Sequence, residues 1–173
     1  RRAAEAEDRA NRGRCVASGA TQGADDKRNI SGVMGPDEDQ EKIADNAFTN
    51  VMARWNIRRA LEGASLRRER WPAAWVSLSS RLGLDDSELA TWLNVAETMA
   101  IGRVPGTGLF EQFDGFFELE EIKLADYAGR SVPMEVGRGG DRIRASQVVT
   151  TADVVERSAL LPERVRGGSA GGR

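Results

Sequence analysis

The first 29 residues, RRAAEAEDRANRGRCVASGATQGADDKRN, contain no Leu, Ile, Met, Phe, Trp or Tyr. A segment without large apolar side chains removes little apolar surface from water, and that burial is the main favourable term in folding. The core must then be built from residues beyond Asn29, and residues 1–29 are expected to be a disordered or loosely helical arm. The other end, 163–173, closes on the Gly-rich run RVRGGSAGGR, the composition of a flexible tail. The ordered part is expected over 30–162, the length of one ordinary domain.

Within 30–162, helical periodicity sets the architecture. Ala44, Phe48, Val51, Met52 and Trp55 recur at helical spacing and predict a helix over 45–62, with Asp45 as its cap and Gly63 as its stop. Trp71-Pro72 opens a second helix, because proline is at home in the first turn. Trp71, Trp75, Leu78 and Leu82 form its stripe and Gly83 ends it. A third starts at Asp85, which has capping-box spacing to Glu88. Leu89, Trp92, Leu93, Ala96 and Met99 make its apolar face. A fourth is expected over 147–161, with Val148, Ala152, Val155 and Ala159 inward and Pro162 closing it. Between the last two lies a long connection with turn signals at Pro105-Gly106 and Gly139-Gly140. Its aromatic-rich part, 109–119, suits a short strand or an ordered loop. The fold class is therefore all-α, with one long ordered connection and disordered ends. Four wide apolar helix faces and a non-helical insert look like part of something larger than a finished bundle.

Charge and residue usage exclude several functions. The net charge of −2 gives no basic footprint for nucleic acid. No apolar run approaches the ~18 residues of a membrane span, and no apolar signal segment opens the chain, so a cytoplasmic location is expected. Cys15 is the single cysteine and has no internal partner. Histidine is absent, which removes a Ser-His-Asp triad and leaves zinc neither His nor paired Cys. No metal and no cofactor is expected.

The chemistry-bearing stretch is ISGVMGPDEDQEKIADNAFTNVMARWN, 30–56, where Asp37, Glu38 and Asp39 follow Gly35-Pro36. With MGPDE and DNAFTNVMARWN, then ERW, RLGLDDSELATWLNVAETM, GLFEQFDGFFELE, LADYAGR and SQVV–ADVV, the sequence resembles glycoside hydrolase family 65 over roughly 30–162. That resemblance implies a partial (α/α)6-barrel catalytic domain and inverting chemistry on an α-linked disaccharide such as maltose, trehalose or kojibiose. In the phosphorylases of the family, inorganic phosphate is the co-substrate and attacks the sugar. In its hydrolases, a carboxylate activates water. The family's general acid maps onto Glu38. A leaving sugar oxygen needs a proton, and crowding by Asp37 and Asp39 would raise a carboxyl pKa by like-charge repulsion. Asp37, and the pair Thr150-Thr151 where the family has Lys-Gln, fall at substrate-binding positions.

The sequence also departs from the family. Asp39 and Gln40 replace an aromatic and a histidine after the acid, and the family's Trp-Asp and His-Gly-Ser-Ser segments have no counterpart. The two ends, rich in Arg, Gly and Ala, lose the resemblance abruptly, as expected of a frameshifted or truncated reading frame. Two readings are open. One is a fragment of a disaccharide phosphorylase or hydrolase with little or no activity alone. The other is a non-catalytic helical interaction module, or pseudoenzyme, whose exposed apolar faces favour self-association.

Each singled-out residue also has a plainer role. Glu38 suits a solvated charge or a stabiliser of a helix start. Trp55, Trp71, Trp75 and Trp92 are read as core packing. Glu111 and Asp114 are read as polar positions alternating with buried Phe110, Phe113 and Phe116, ahead of a second carboxylate pair. Arg58, Arg59, Arg67, Arg68 and Arg70, near Glu62 and Glu69, form a solvated helix surface. Gly137 to Gly140 are read as a plain turn.

Overall fold

The computed structural model describes residues 2–23, 26–36, 43–127, 129, 131–132, 136–137 and 139–148. It is mostly helical with one small antiparallel sheet, and it divides into two compact units. The first comprises 1–30 and 50–100, and the second 31–49 and 101–173.

The first unit holds α1 (Arg2–Gly19), β1 (Thr21–Gln22), β2 (Arg28–Asn29), most of α2 (Ala47–Arg70), α3 (Pro72–Leu82) and α4 (Asp86–Thr98). Here the expectation for the first 29 residues needs correcting. Ala6, Ala10, Gly13, Ala17 and Ala20 recur at helical spacing; Ala17 and Ala20 are buried, with Ala6 and Ala10 packed at the core's edge. A Cβ on Gly13 would lie 2.5 Å from Ala60 Cβ and 3.2 Å from Trp92 Cζ3. Small residues let one helix backbone approach another closely, so α1 buries area from its neighbours' large side chains rather than from its own. The core it joins is built on Ile57, Trp75, Leu78, Trp92, Val95 and Met99.

Polar contacts fix α1 in place. Arg14 donates to both carboxylate oxygens of Glu88, at 2.6 and 2.8 Å, and to the Leu82 carbonyl at the end of α3, at 2.8 Å. The hydrogen bond to Glu88 raises the Arg14 pKa above its ordinary value. Arg81 reaches Glu7 at 2.6 Å. The hairpin after α1 pairs Thr21 with Asn29, and the Ala100 N–H donates to the Arg28 carbonyl at 2.8 Å. The sheet is therefore a second departure from a purely helical expectation.

Three helix boundaries agree with the expected signals. Pro72 opens α3, and Gly83 closes it in the left-handed conformation, its N–H donating to the Ser79 and Ser80 carbonyls. Asp85 caps α4 by accepting the Glu88 N–H at 2.8 Å. The Ser87 hydroxyl and that N–H hold the Asp85 carboxyl below the usual carboxylate range.

The helix expected over 45–62 is instead α2, Ala47–Arg70. Asp45 has φ 55°, outside the extended backbone of a cap, and Asn46 takes the role by accepting the Thr49 N–H at 2.8 Å. Gly63 does not stop α2. A glycine ends a helix where the chain must turn left-handed, but here the helical run continues until Pro72 restricts Trp71. The aromatic faces differ too. Trp75 and Trp92 are buried, Trp55 is half-buried with the Arg59 guanidinium 5.8 Å from its ring centre, and Trp71 is exposed. Leu93, expected inward, is also exposed, and Val95 takes the buried place. The arginine surface of α2 is ion-paired at Arg59–Glu62 and Arg68–Asp86.

In the second unit the described part of 109–119 is an ordered loop with a 3-10 turn at Phe116–Glu118; a second 3-10 turn lies at Leu124–Tyr127, and a short helix, Gly140–Arg144, begins at the last residue of the turn expected over Gly137 to Gly140. Phe113 is buried, whereas Phe110 and Phe116 are only half-buried; Phe113 stacks edge-on to Phe116 at 5.3 Å. Of the helix expected over 147–161, Gln147 and Val148 are non-helical and the remainder lies outside the described residues, as does 163–173.

Candidate functional site

Asp37, Glu38, Asp39 and Gln40 lie outside the described residues, and so do Thr150 and Thr151. The structure does describe the frame from which both segments spring. The acidic loop leaves at Val33 and returns at Ile43. These two residues form an antiparallel bridge: the Ile43 N–H donates to the Val33 carbonyl at 3.0 Å and the Gly32 N–H to the Ile43 carbonyl at 3.1 Å. Two backbone bonds across its base tie the ends of 34–42 together.

The return limb is anchored at once. The Asp114 N–H donates to the Ala44 carbonyl at 3.2 Å, and the Ala47 N–H donates to the Gln112 carbonyl at 2.8 Å. Asn46 and Ala47 are fully buried and Gln112 nearly so. The loop that receives them is closed on itself. The Glu111 N–H donates to the Gly102 carbonyl at 2.7 Å, and Arg103 bridges Phe110. The Glu111 carboxylate accepts the Phe117 N–H at 3.3 Å, and Asp114 is exposed. These two act in the described structure as loop-building groups.

The segment leading to Thr150 is anchored in the same unit. The Glu120 N–H donates to the Ala145 carbonyl at 3.1 Å, and the Gln147 N–H to the Glu120 carbonyl at 2.9 Å. The Gln147 amide reaches the Phe117 and Leu119 carbonyls at 3.2 and 3.0 Å. Ser146 and Ile143 are buried beneath it. The acidic loop and the SQVV segment thus emerge from one compact unit. Sequence reasoning missed Asn46, Gly102, Gln112 and Gln147 as framing residues. Asn46, Gln112 and Gln147 were signalled only by their position inside the quoted segments, because polar residues at buried or half-buried sites carry no periodic signature, and Gly102 lies outside those segments.

Cavities are formed among the described residues of the first unit. One, of about 180 Å³, is walled by Trp71, Trp75 and Trp92 over small residues of α1 and α2. Another is a groove of about 470 Å³ between α1 and α2, beside Trp55. Among the described residues, no cluster of His, Cys, Asp and Glu is arranged to hold a metal ion, and no helix is long and apolar enough to cross a membrane.

Comparison with known proteins bears directly on these segments. Residues 14–169 match the glycosyl hydrolase family 65 central catalytic domain. The match runs past both expected edges, into α1 at one end and into the Gly-rich tail at the other, so the resemblance does not stop at residues 30 and 162. The chain is 31% identical over 143 residues to the kojibiose phosphorylase of Caldanaerobacter subterraneus subsp. tengcongensis, covering 80% of this chain and 18% of that protein. It is 33% identical over 137 residues to the α,α-trehalose phosphorylase of Geobacillus stearothermophilus, covering 79% and 18%. A solved chain assigned as a kojibiose phosphorylase from the human microbiome superposes with a TM-score of 0.77 at 24% identity, over 92% of this chain and 22% of that one. The chain thus spans about a fifth of the length of these relatives. It belongs to glycosyl hydrolase family 65 and represents part of that family's central catalytic domain.

Proposed function

We propose that this chain is the part of an inverting disaccharide phosphorylase that carries the general acid, Glu38, on the loop between Val33 and Ile43. The observation behind this is the collinear family match over 14–169, together with phosphorylases of α-linked disaccharides among the relatives. Those relatives favour an enzyme-derived chain over a helical interaction module. In this reading the segment belongs to an (α/α)6 barrel.

The mechanism is dictated by charge. Cleaving an α-glucosidic bond leaves negative charge on the departing sugar oxygen, and Glu38 protonates it in the transition state. Phosphate attacks the opposite face of the ring and inverts the anomeric carbon, so the protein supplies a single carboxyl. Like charge at Asp37 and Asp39, adjacent in sequence to Glu38, disfavours a further negative charge there. Thr150 and Thr151 hydrogen-bond the transferred glucose through hydroxyls, a weaker hold than a charge-assisted bond.

The test joins this chain to the remaining length of the family's catalytic domain and follows glucose 1-phosphate release from kojibiose, trehalose and maltose with phosphate. Phosphate-dependent release, lost in Glu38→Gln, is expected; the chain alone should give little or none. Turnover unchanged in Glu38→Gln would remove Glu38 from the acid's place.

A further inference from the structure

Asp45 and Gly102 stand out in the frame of the acidic loop for backbone reasons. Asp45 is one of two non-glycine residues with positive φ among those described, at 55°, in the left-handed region that costs most side chains strain. It sits between the Val33–Ile43 bridge and the Asn46 cap of α2, where the chain turns from loop to helix. Gly102 has φ 69°. A Cβ there would lie 2.5 Å from the Glu111 carbonyl oxygen and 3.0 Å from Ala47 Cβ. Neither neighbour is a flexible side-chain end, so a side chain at 102 displaces backbone.

We propose that Asp45 and Gly102 are positioning residues that set the returning limb of the acidic loop, Asp45 by its left-handed turn and Gly102 by admitting Ala47 and Glu111 against its bare Cα. The inference deepens the reading of Glu38 as the acid and rests on it for its effect on turnover. Its physical content is independent: a left-handed turn at a half-buried residue persists only where surrounding contacts hold it. Those contacts are the Ala47–Gln112, Asp114–Ala44 and Glu111–Gly102 backbone bonds. Displacing Ala47 moves Asn46, Asp45 and Ala44 with it, and through Ile43 the base of the loop.

The experiment has two arms. Hydrogen exchange on this chain reads the Ile43 and Ala47 amides. Both should exchange at least ~10-fold faster in Gly102→Ala and Asp45→Val, with Asp45→Asn and Asp45→Gly close to the parent, since Asn and Gly tolerate positive φ. Gly63→Ala, remote from the loop, is the folding control. Turnover is then measured in the joined catalytic domain. A misplaced reacting group can cost on the order of 100-fold in rate, so Gly102→Ala and Asp45→Val should lower kcat by ~10-fold or more with KM changed less than ~3-fold. An α-glucosyl fluoride donor, whose leaving group needs no proton, should recover most of that loss.

Unchanged amide exchange in both Gly102→Ala and Asp45→Val would overturn the proposal. So would an Asp45→Asn variant as defective as Asp45→Val, because charge rather than backbone conformation would then be responsible. If Glu38→Gln has no effect on turnover, the acid assignment fails by itself, and the amide arm alone decides whether the two residues set the loop.

Discussion

Substituting Gly13 by Ala places a methyl group where the structure has no room. Its carbon would lie 2.5 Å from Ala60 Cβ and 3.2 Å from the Trp92 ring. Ala60 Cβ is fixed to the α2 backbone and cannot rotate away, so α1 must move off α2. Overpacking of this kind costs up to about 3 kcal/mol. Alanine returns about 1 kcal/mol over glycine within a helix. The net loss is at most about 2 kcal/mol, which for a chain of this size lowers Tm by up to roughly 8 °C. Gly63→Ala is the matched opposite, a helical glycine whose added Cβ would meet only Arg9 Cδ at 4.0 Å. It should gain the full ~1 kcal/mol of helix propensity. Urea and thermal unfolding followed by far-UV circular dichroism reads both. The double variant Gly13→Ala with Ala60→Gly removes the 2.5 Å contact and should recover part of the loss. A Gly13→Ala protein as stable as the parent would refute the close packing of α1 on α2, and with it the account of why a segment without large side chains is ordered.

Four further outcomes are expected. Trp92→Ala, at a site 3% exposed in the same core, should cost about 3–5 kcal/mol by leaving a cavity, read as a lower urea midpoint. Asn46→Ala should cost about 1–2 kcal/mol by removing the buried cap of α2, whereas Asp45→Asn should leave helix content unchanged. The Arg14–Glu88 pair, with side chains 37% and 26% exposed, should contribute no more than about 1 kcal/mol, and less at high salt, in a double-mutant cycle. Asp85 carries a depressed pKa, so its contribution is complete above the unfolded carboxylate value of about 3.9 and fades as pH falls through the lower folded value. An acid titration of stability should therefore show a shallower loss at the low end in Asp85→Asn than in the parent.

How much is legible in the sequence depends on whether the signal is local. Pro72, Gly83 and Asp85 mark their boundaries correctly because each rests on one residue's own backbone or side chain. Gly63 misleads because glycine has two meanings: a left-handed stop, or a helical position with no Cβ. Asp45 misleads because a capping side chain is present but its backbone is turned left-handed, leaving the cap to Asn46 one position on. Trp71 and Leu93 fit the apolar stripes by spacing and yet are exposed, because periodicity gives a direction around the helix and not what stands opposite.

The sequence by itself determined the helical character, both boundaries of α3, the start of α4, and the family, since collinear segments survive as strings of residues whatever they pack against. Only the tertiary structure decided that residues 2–19 are a core helix. Ala6, Ala10, Gly13 and Ala17 carry almost no hydrophobic signal of their own. Their contribution exists only where Ala60 and Trp92 bring the other half of the contact. The same holds for the frame of the acidic loop. It is made of backbone N–H and carbonyl groups, which every residue but proline carries alike, so no sequence pattern marks which of them will meet.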